Sequence, residues 1–190
     1  MLFSSVPALV TVLAGLAQTQ FTSQAVANAL DNLRVRTATL ILPAQQMTAE
    51  NARQLQTRQG PWTAVVYGLN DVDSNTDTLI ETLQLTAPTF TKTPYTGPDA
   101  AAIGSQFQNF VNVQLELLNL LSTKAYALNM YNAPYVSRPF TIVLQVLKTS
   151  VDLRAFPPAD SVGAVQRSSN LGTLDAQYSA VIPLFSRIGG

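Results

Sequence analysis

Apolar residues recur at intervals of three and four in four successive blocks of the chain, and the prolines fall between the blocks. From Trp62 to about Leu85, one stripe collects Trp62, Val65, Val66, Leu69, Val72, Thr76, Leu79, Ile80 and Leu83. Asn70, Asp71, Asp73, Ser74, Asp77 and Glu81 fall opposite. That is the pattern of an amphipathic helix of about seven turns. A second block opens at Gly97-Pro98-Asp99, a proline and an acid at a helix start, and runs to about Tyr131. Its stripe holds Ile103, Phe107, Phe110, Val111, Leu118, Leu121, Ala125 and Leu128, broadened by Val113, Leu115 and Leu117. The third starts at Ser137-Arg138-Pro139, with serine as N-cap and proline in the first turn, and repeats Phe140, Val143, Leu144, Leu147 and Val151. The fourth, about Val162 to Phe185, carries Val165, Leu171, Leu174, Tyr178, Val181 and Phe185. Ser168, Ser169, Asn170 and Gly172 favour a late start there, and Pro183 an end or a kink.

Helices of this kind joined by short to moderate loops predict an all-α fold, an antiparallel four- to five-helix bundle over residues 61–190. Residues 18–60 read as an additional N-terminal helical segment, either an extension packed on the bundle or a propeptide. Within it Ala25 to Arg36 is helical in pattern, and Arg36 to Leu42 fits either regular structure. Thr48 to Gln59 is helical, with Thr48 and Asn51 as caps. Residues 1–17 read as a signal peptide. No charged side chain precedes Asp31, the apolar run Val6 to Ala14 has h-region length, and Gly15-Leu16-Ala17 offers a small-x-small cleavage site after Ala17. The mature chain is therefore expected to be secreted, and no later stretch reaches membrane-spanning length without interruption.

Composition narrows the chemistry. The 190 residues include no cysteine and no histidine, so disulfides, thiol or imidazole catalysis, thiolate metal sites and the commonest transition-metal ligand are excluded. A net charge of zero gives no basic patch for nucleic acid. There is no Asn-x-Ser/Thr sequon, whereas the alternating Thr and Pro of Thr86 to Thr96 fit either an O-glycosylated loop or a plain proline-rich crossover. Asp73 and Asp77, four apart on one helix, could serve acid/base chemistry in a small hydrolase or bind a hard cation. Among Asn70, Ser74 and Thr78 they read as a solvated helix face. Ser122 with Lys124, and Lys148 with Ser150, are two apart and point in different directions on a helix, so neither pair makes a Ser–Lys dyad. No metal, no cofactor and no catalytic residue is expected.

The unusual segment is the second helix. From Ser105 to Asn119 its polar positions are Ser105, Gln106, Gln108, Asn109, Asn112, Gln114 and Asn119, against the single charge of Glu116. Between Asp99 and Lys148 only Glu116, Lys124 and Arg138 add charge. Neutral amides shed water more cheaply than ions do. Such a face either adsorbs to hydrophobic surfaces or lines a pocket for apolar ligands, or it belongs to a central helix buried on two sides.

Leu69-Asn70-Asp71-Val72-Asp73-Ser74-Asn75-Thr76-Asp77-Thr78-Leu79 is similar to a Leu-x-x-Ile/Val-Asp-Ser-x-Thr-x-x-Leu core. Val143-Leu144-Gln145-Val146-Leu147-Lys148-Thr149-Ser150 is similar to a later Leu-x-x-Leu-Lys segment. With the order of parts, these stretches make residues 62–187 resemble the fungal hydrophobic surface-binding protein A family, also described as cell-wall galactomannoproteins. The chain departs from that pattern in its many aromatics and prolines. The resemblance implies a secreted, non-catalytic protein of the extracellular space or cell wall. Such a protein adsorbs to hydrophobic surfaces, recruits a secreted hydrolase there, or holds a fatty-acyl lipid between helices. The interior positions expected to line an acyl site are Phe107, Phe110, Leu118, Phe140, Leu144 and Tyr178, whose other role is core packing. The alternative is a structural wall mannoprotein or surface antigen without a small-molecule ligand.

Overall fold

The computed structural model describes residues 22–85, 95–129, 133–151 and 161–188. The predicted signal peptide, most of the Thr/Pro stretch, Pro157-Pro158 and the side chains of Leu83 and Val165 lie outside the described residues. The described helices are α1 (Ser23–Ala38), α2 (Ile41–Gln46), a 3-10 helix (Ala52–Thr57), α3 (Gly60–Leu85), α4 (Gly97–Asn129), α5 (Pro134–Val151) and α6 (Ser161–Ser186). No strand occurs among the described residues, and the chain is an all-α helical bundle.

Local chemistry sets the boundaries. Thr22 caps α1, its hydroxyl accepting from the Ala25 amide at 3.1 Å. The ambiguous stretch after Arg36 resolves into a helix end at Ala38, a turn at Thr39-Leu40, and the short α2. The predicted helix after Thr48 is a single 3-10 segment. It is entered through a reciprocal pair in which the Thr48 amide donates to Asn51 Oδ1 and the Asn51 amide to Thr48 Oγ1. The third block begins earlier than expected. α5 starts at Pro134, so Ser137 is not its cap and Pro139 lies inside the helix. Pro139 is the sixth residue, so its missing N–H costs one ladder bond near the start, and the strong apolar face behind it keeps the helix intact. α6 likewise runs through Pro183 to Ser186.

Each of the five long helices packs against two others, in the lateral order α1, α4, α6, α5, α3 and back to α1. Paired contacts give the directions. α3 and α5 run parallel, with Trp62 against Phe140 at one end and Ser150 donating to Asp73 further along. α5 and α6 run antiparallel, with Phe140 stacked on Phe185 and Lys148 reaching Asp175 and Ser179. α4 and α6 run parallel, tied by Asn170 to Gln108 and by Gln177 to Asn119. α1 is antiparallel to α3, with Arg36 on Asp71 and Asn28 and Asn32 across a groove from Thr78 and Thr82. Helices consecutive in the chain thus alternate in direction, while three of the five lateral pairs are parallel.

One apolar interior serves the whole ring. Val26, Leu30 and Leu33 of α1 join Trp62, Leu69 and Val72 of α3, Phe110 and Leu121 of α4, Phe140 and Leu147 of α5, and Val181 and Phe185 of α6. A division at residue 60 therefore separates no second core among the described residues. Gly68 lets the turn between α1 and α2 close on α3, because a Cβ there would stand 2.1 Å from a methyl of Leu40. Trp62 donates its indole N–H to the Thr48 carbonyl at 2.9 Å, and Lys124 donates to the Gln45 and Met47 carbonyls, both at 2.8 Å. The ammonium of Lys124 thus sits at the negative C-terminal end of α2 and pins the linker to α4.

Phe140→Ala removes the ring shared by Trp62 and Phe185, and a loss of about 3–5 kcal/mol is expected in chemical denaturation. Lys124→Met keeps the stem but removes both bonds to the linker; a loss of about 1 kcal/mol is expected in the same assay.

Candidate functional site

The six residues expected to line an acyl site are all buried. Phe107, Phe110 and Leu118 project from the inward face of α4, Phe140 and Leu144 from α5, and Tyr178 from α6. All belong to the one contiguous interior. Phe140 is held in an aromatic cluster, edge-on to Trp62 at 5.4 Å and stacked on Phe185 at 4.7 Å. Two open clefts lie on the outside of α1. One, of about 330 Å³, runs between α1 and α3 over Leu33 and Leu79. The other, of about 430 Å³, borders Asp31, Val35 and Arg36. None of the six residues lines either cleft.

The interior carries polar atoms that a plain hydrocarbon core lacks. Gln114, grouped by sequence with the polar face of its helix, is fully enclosed at 0% exposure, and neither its Oε1 nor its Nε2 has a hydrogen-bond partner in the protein. The hydroxyls of Tyr178 and Thr37 are enclosed and unpartnered as well. Each such buried group costs about 1–3 kcal/mol relative to a paired one. The signal for Gln114 was present in the spacing: it stands four residues after Phe110 and four before Leu118, in the middle of the apolar stripe.

Tyr178 and Asp73 are coupled. Burial pushes the phenol of Tyr178 well above its ordinary value, and the Asp73 carboxylate pushes it further the same way, so the hydroxyl stays protonated. Asp73 is partly exposed, at the edge of the solvated face that carries Asp77. It is turned toward α5, where its Oδ1 accepts from the Ser150 hydroxyl at 2.7 Å. Its pKa is raised, first by desolvation and also by repulsion from Asp77, with the Ser150 hydrogen bond acting in the opposite sense. Asp71, on the same helix, pairs with Arg36. Lys148 is bonded to Asp175 and Ser179, and Lys124 to the linker carbonyls, so both lysines have structural partners. No group of three or more carboxylates able to hold a metal occurs among the described residues.

α4 is flanked by α1 and α6, and its remaining face looks outward. The exposed positions there are Ala101, Ala102, Ser105, Asn109, Asn112, Glu116, Asn119, Thr123, Tyr126 and Ala127. Along a helix about 50 Å long this face presents one charge, Glu116, beyond the Asp99 of its first turn. Asn112 accepts from Gln108 and Asn119 from Gln177, so several of the amides are already bonded to protein. No helix among the described residues is long and apolar enough to cross a membrane.

No protein-family model, curated protein or solved structure matches the chain.

The raised pKa of Asp73 has a definite sign. Between the ordinary carboxylate range and its raised native value, the folded state holds a proton that the unfolded state has released. Stability through this group therefore falls as pH rises across that window. Asp73→Asn keeps an acceptor for Ser150 and removes the charge. The variant is expected to melt higher than wild type at neutral pH, and the difference is expected to shrink on acidification, as read by thermal denaturation at several pH values.

Proposed function

We propose that this chain is a secreted, non-catalytic helical module that binds apolar matter, namely hydrophobic surfaces and fatty-acyl lipids, outside the cell or at the cell wall. The observation that carries the proposal is the outward face of α4, a long helical surface with one central charge among neutral amides, hydroxyls, alanines and an exposed tyrosine. A water-facing helix ordinarily alternates charges of both signs, which hold a hydration layer. An amide surface gives up its water at lower cost, and Tyr126, 64% exposed near one end, adds an aromatic plane suited to an apolar boundary. The absence of cysteine and histidine, and the engagement of both α4–α5 lysines in structural bonds, support a role without covalent chemistry. The likeness of residues 62–187 to the hydrophobic surface-binding family points the same way.

Octyl-coated beads and radiolabelled hexadecanoic acid test the two modes. Retention of wild type on the beads is expected. A variant combining Ser105→Asp, Asn109→Asp and Asn112→Asp, which charges the outer face without touching the core, is expected to lose most of that retention and to keep the melting temperature within a few degrees. Absence of retention on beads together with absence of fatty-acid binding would overturn the proposal.

A further inference from the structure

The interior of α4 departs from its own pattern at one position. Phe107, Phe110, Val111, Leu117, Leu118, Leu121, Ala125 and Leu128 form an apolar face, and Gln114 interrupts it, fully enclosed. A leucine there would complete the stripe and leave nothing unpaired. Both ends of the Gln114 amide lack a partner in the protein, and so does the enclosed Tyr178 hydroxyl on the neighbouring helix. The two helices are in register. Gln108 is tied to Asn170 and Asn119 to Gln177, so Gln114 falls between these ties and Tyr178 lies just past the second. Long side chains on a helix lean back toward its N-terminus, which for Tyr178 is the direction of the Gln114 level.

We propose that Gln114 and Tyr178 are the polar end of a binding site inside the bundle, one that takes an aliphatic chain ending in an uncharged group able both to donate and to accept a hydrogen bond. The site deepens the lipid-binding reading of the chain and rests on it. The chemistry of the amide selects the head group. Its Nε2 needs an acceptor and its Oε1 needs a donor. An un-ionised carboxyl meets both at once, and a primary alcohol meets one with its oxygen and the other with its proton. A carboxylate only accepts, and would set negative charge against Oε1. Among the described residues no lysine or arginine is buried in the interior to neutralise one, and Asp73 lies close enough to Tyr178 to act on it electrostatically. Phe110 and Leu118, one turn to either side of Gln114, are the surfaces along which the aliphatic part would lie.

Three probes and two variants test this. Hexadecanoic acid, hexadecan-1-ol and methyl hexadecanoate share a tail, but the ester cannot donate and the acid donates only when un-ionised. Wild type is expected to bind the alcohol about tenfold or more tightly than the ester, by titration calorimetry, which is the effect of one well-placed hydrogen bond. Gln114→Leu is expected to erase that preference while the ligand-free protein melts at the same temperature or higher, because an unpaired amide has been replaced by hydrocarbon. Tyr178→Phe removes one oxygen and is expected to narrow the preference without lowering the melting temperature. Equal binding of alcohol and ester by wild type would overturn the head-group assignment and leave lipid binding standing. A lower melting temperature of Gln114→Leu with the preference intact would overturn it too, as the glutamine would then be a structural group. Binding of none of the three probes would overturn the head-group site, and the fatty-acyl part of the proposed function with it.

Discussion

The five-helix arrangement depends on a single apolar interior filled from all sides, with nothing covalent behind it. Without cysteine there is no cross-link, so closure of the ring rests on side chains meeting in the middle. The aromatic stack of Trp62, Phe140 and Phe185 fixes one end, since it joins α3, α5 and α6 at a single point. From that end the ion pair of Lys148 with Asp175 and the Ser150–Asp73 hydrogen bond set the level of the same three helices further along. α1 and α4 then complete the wall, with Lys124 stitching α4 to the linker that follows α1. These polar ties are individually worth little at a partly exposed rim. Their effect is to select one register among those that the apolar faces alone would accept.

The four blocks from residue 60 onward were legible because their apolar residues recur at three and four over many turns, the strongest signal a sequence carries. The boundaries were less so. Proline at position 139 reads as a first-turn residue, yet α5 had already begun at Pro134 and tolerates it, since tertiary burial outweighs one missing ladder bond. α1 was legible as a helix but not as a wall of the bundle. Its buried residues, Val26, Ala27, Leu30, Leu33 and Thr37, are few and small, and nothing local says which helices they meet.

The polar interior was the least legible part. Asp73 and Gln114 carry ordinary surface chemistry in an ordinary surface context when read along the chain. Only the arrival of α5 turns Asp73 into a partly desolvated acceptor, and only the flanking of α4 by α1 and α6 encloses Gln114. The six interior residues singled out from the stripes are indeed inward-facing, because a stripe predicts burial reliably. What a stripe does not report is which of its members carries an unpaired polar atom, and that is where the site's selectivity would lie.

The parallel pairing of α1 with α4 bears on how the molecule is made. A ribosome releases α1 long before its main lateral partner; the Gln45–Lys124 contact spans 79 positions of sequence. At about 5–20 residues per second, the apolar side of α1 waits several seconds for the surface that will cover it. During that interval the nascent chain exposes Val26, Leu30 and Leu33 with only α3 to shelter them in part. Slow closure of a long loop on refolding is the natural consequence of a ring whose first and third long helices must find each other across the second.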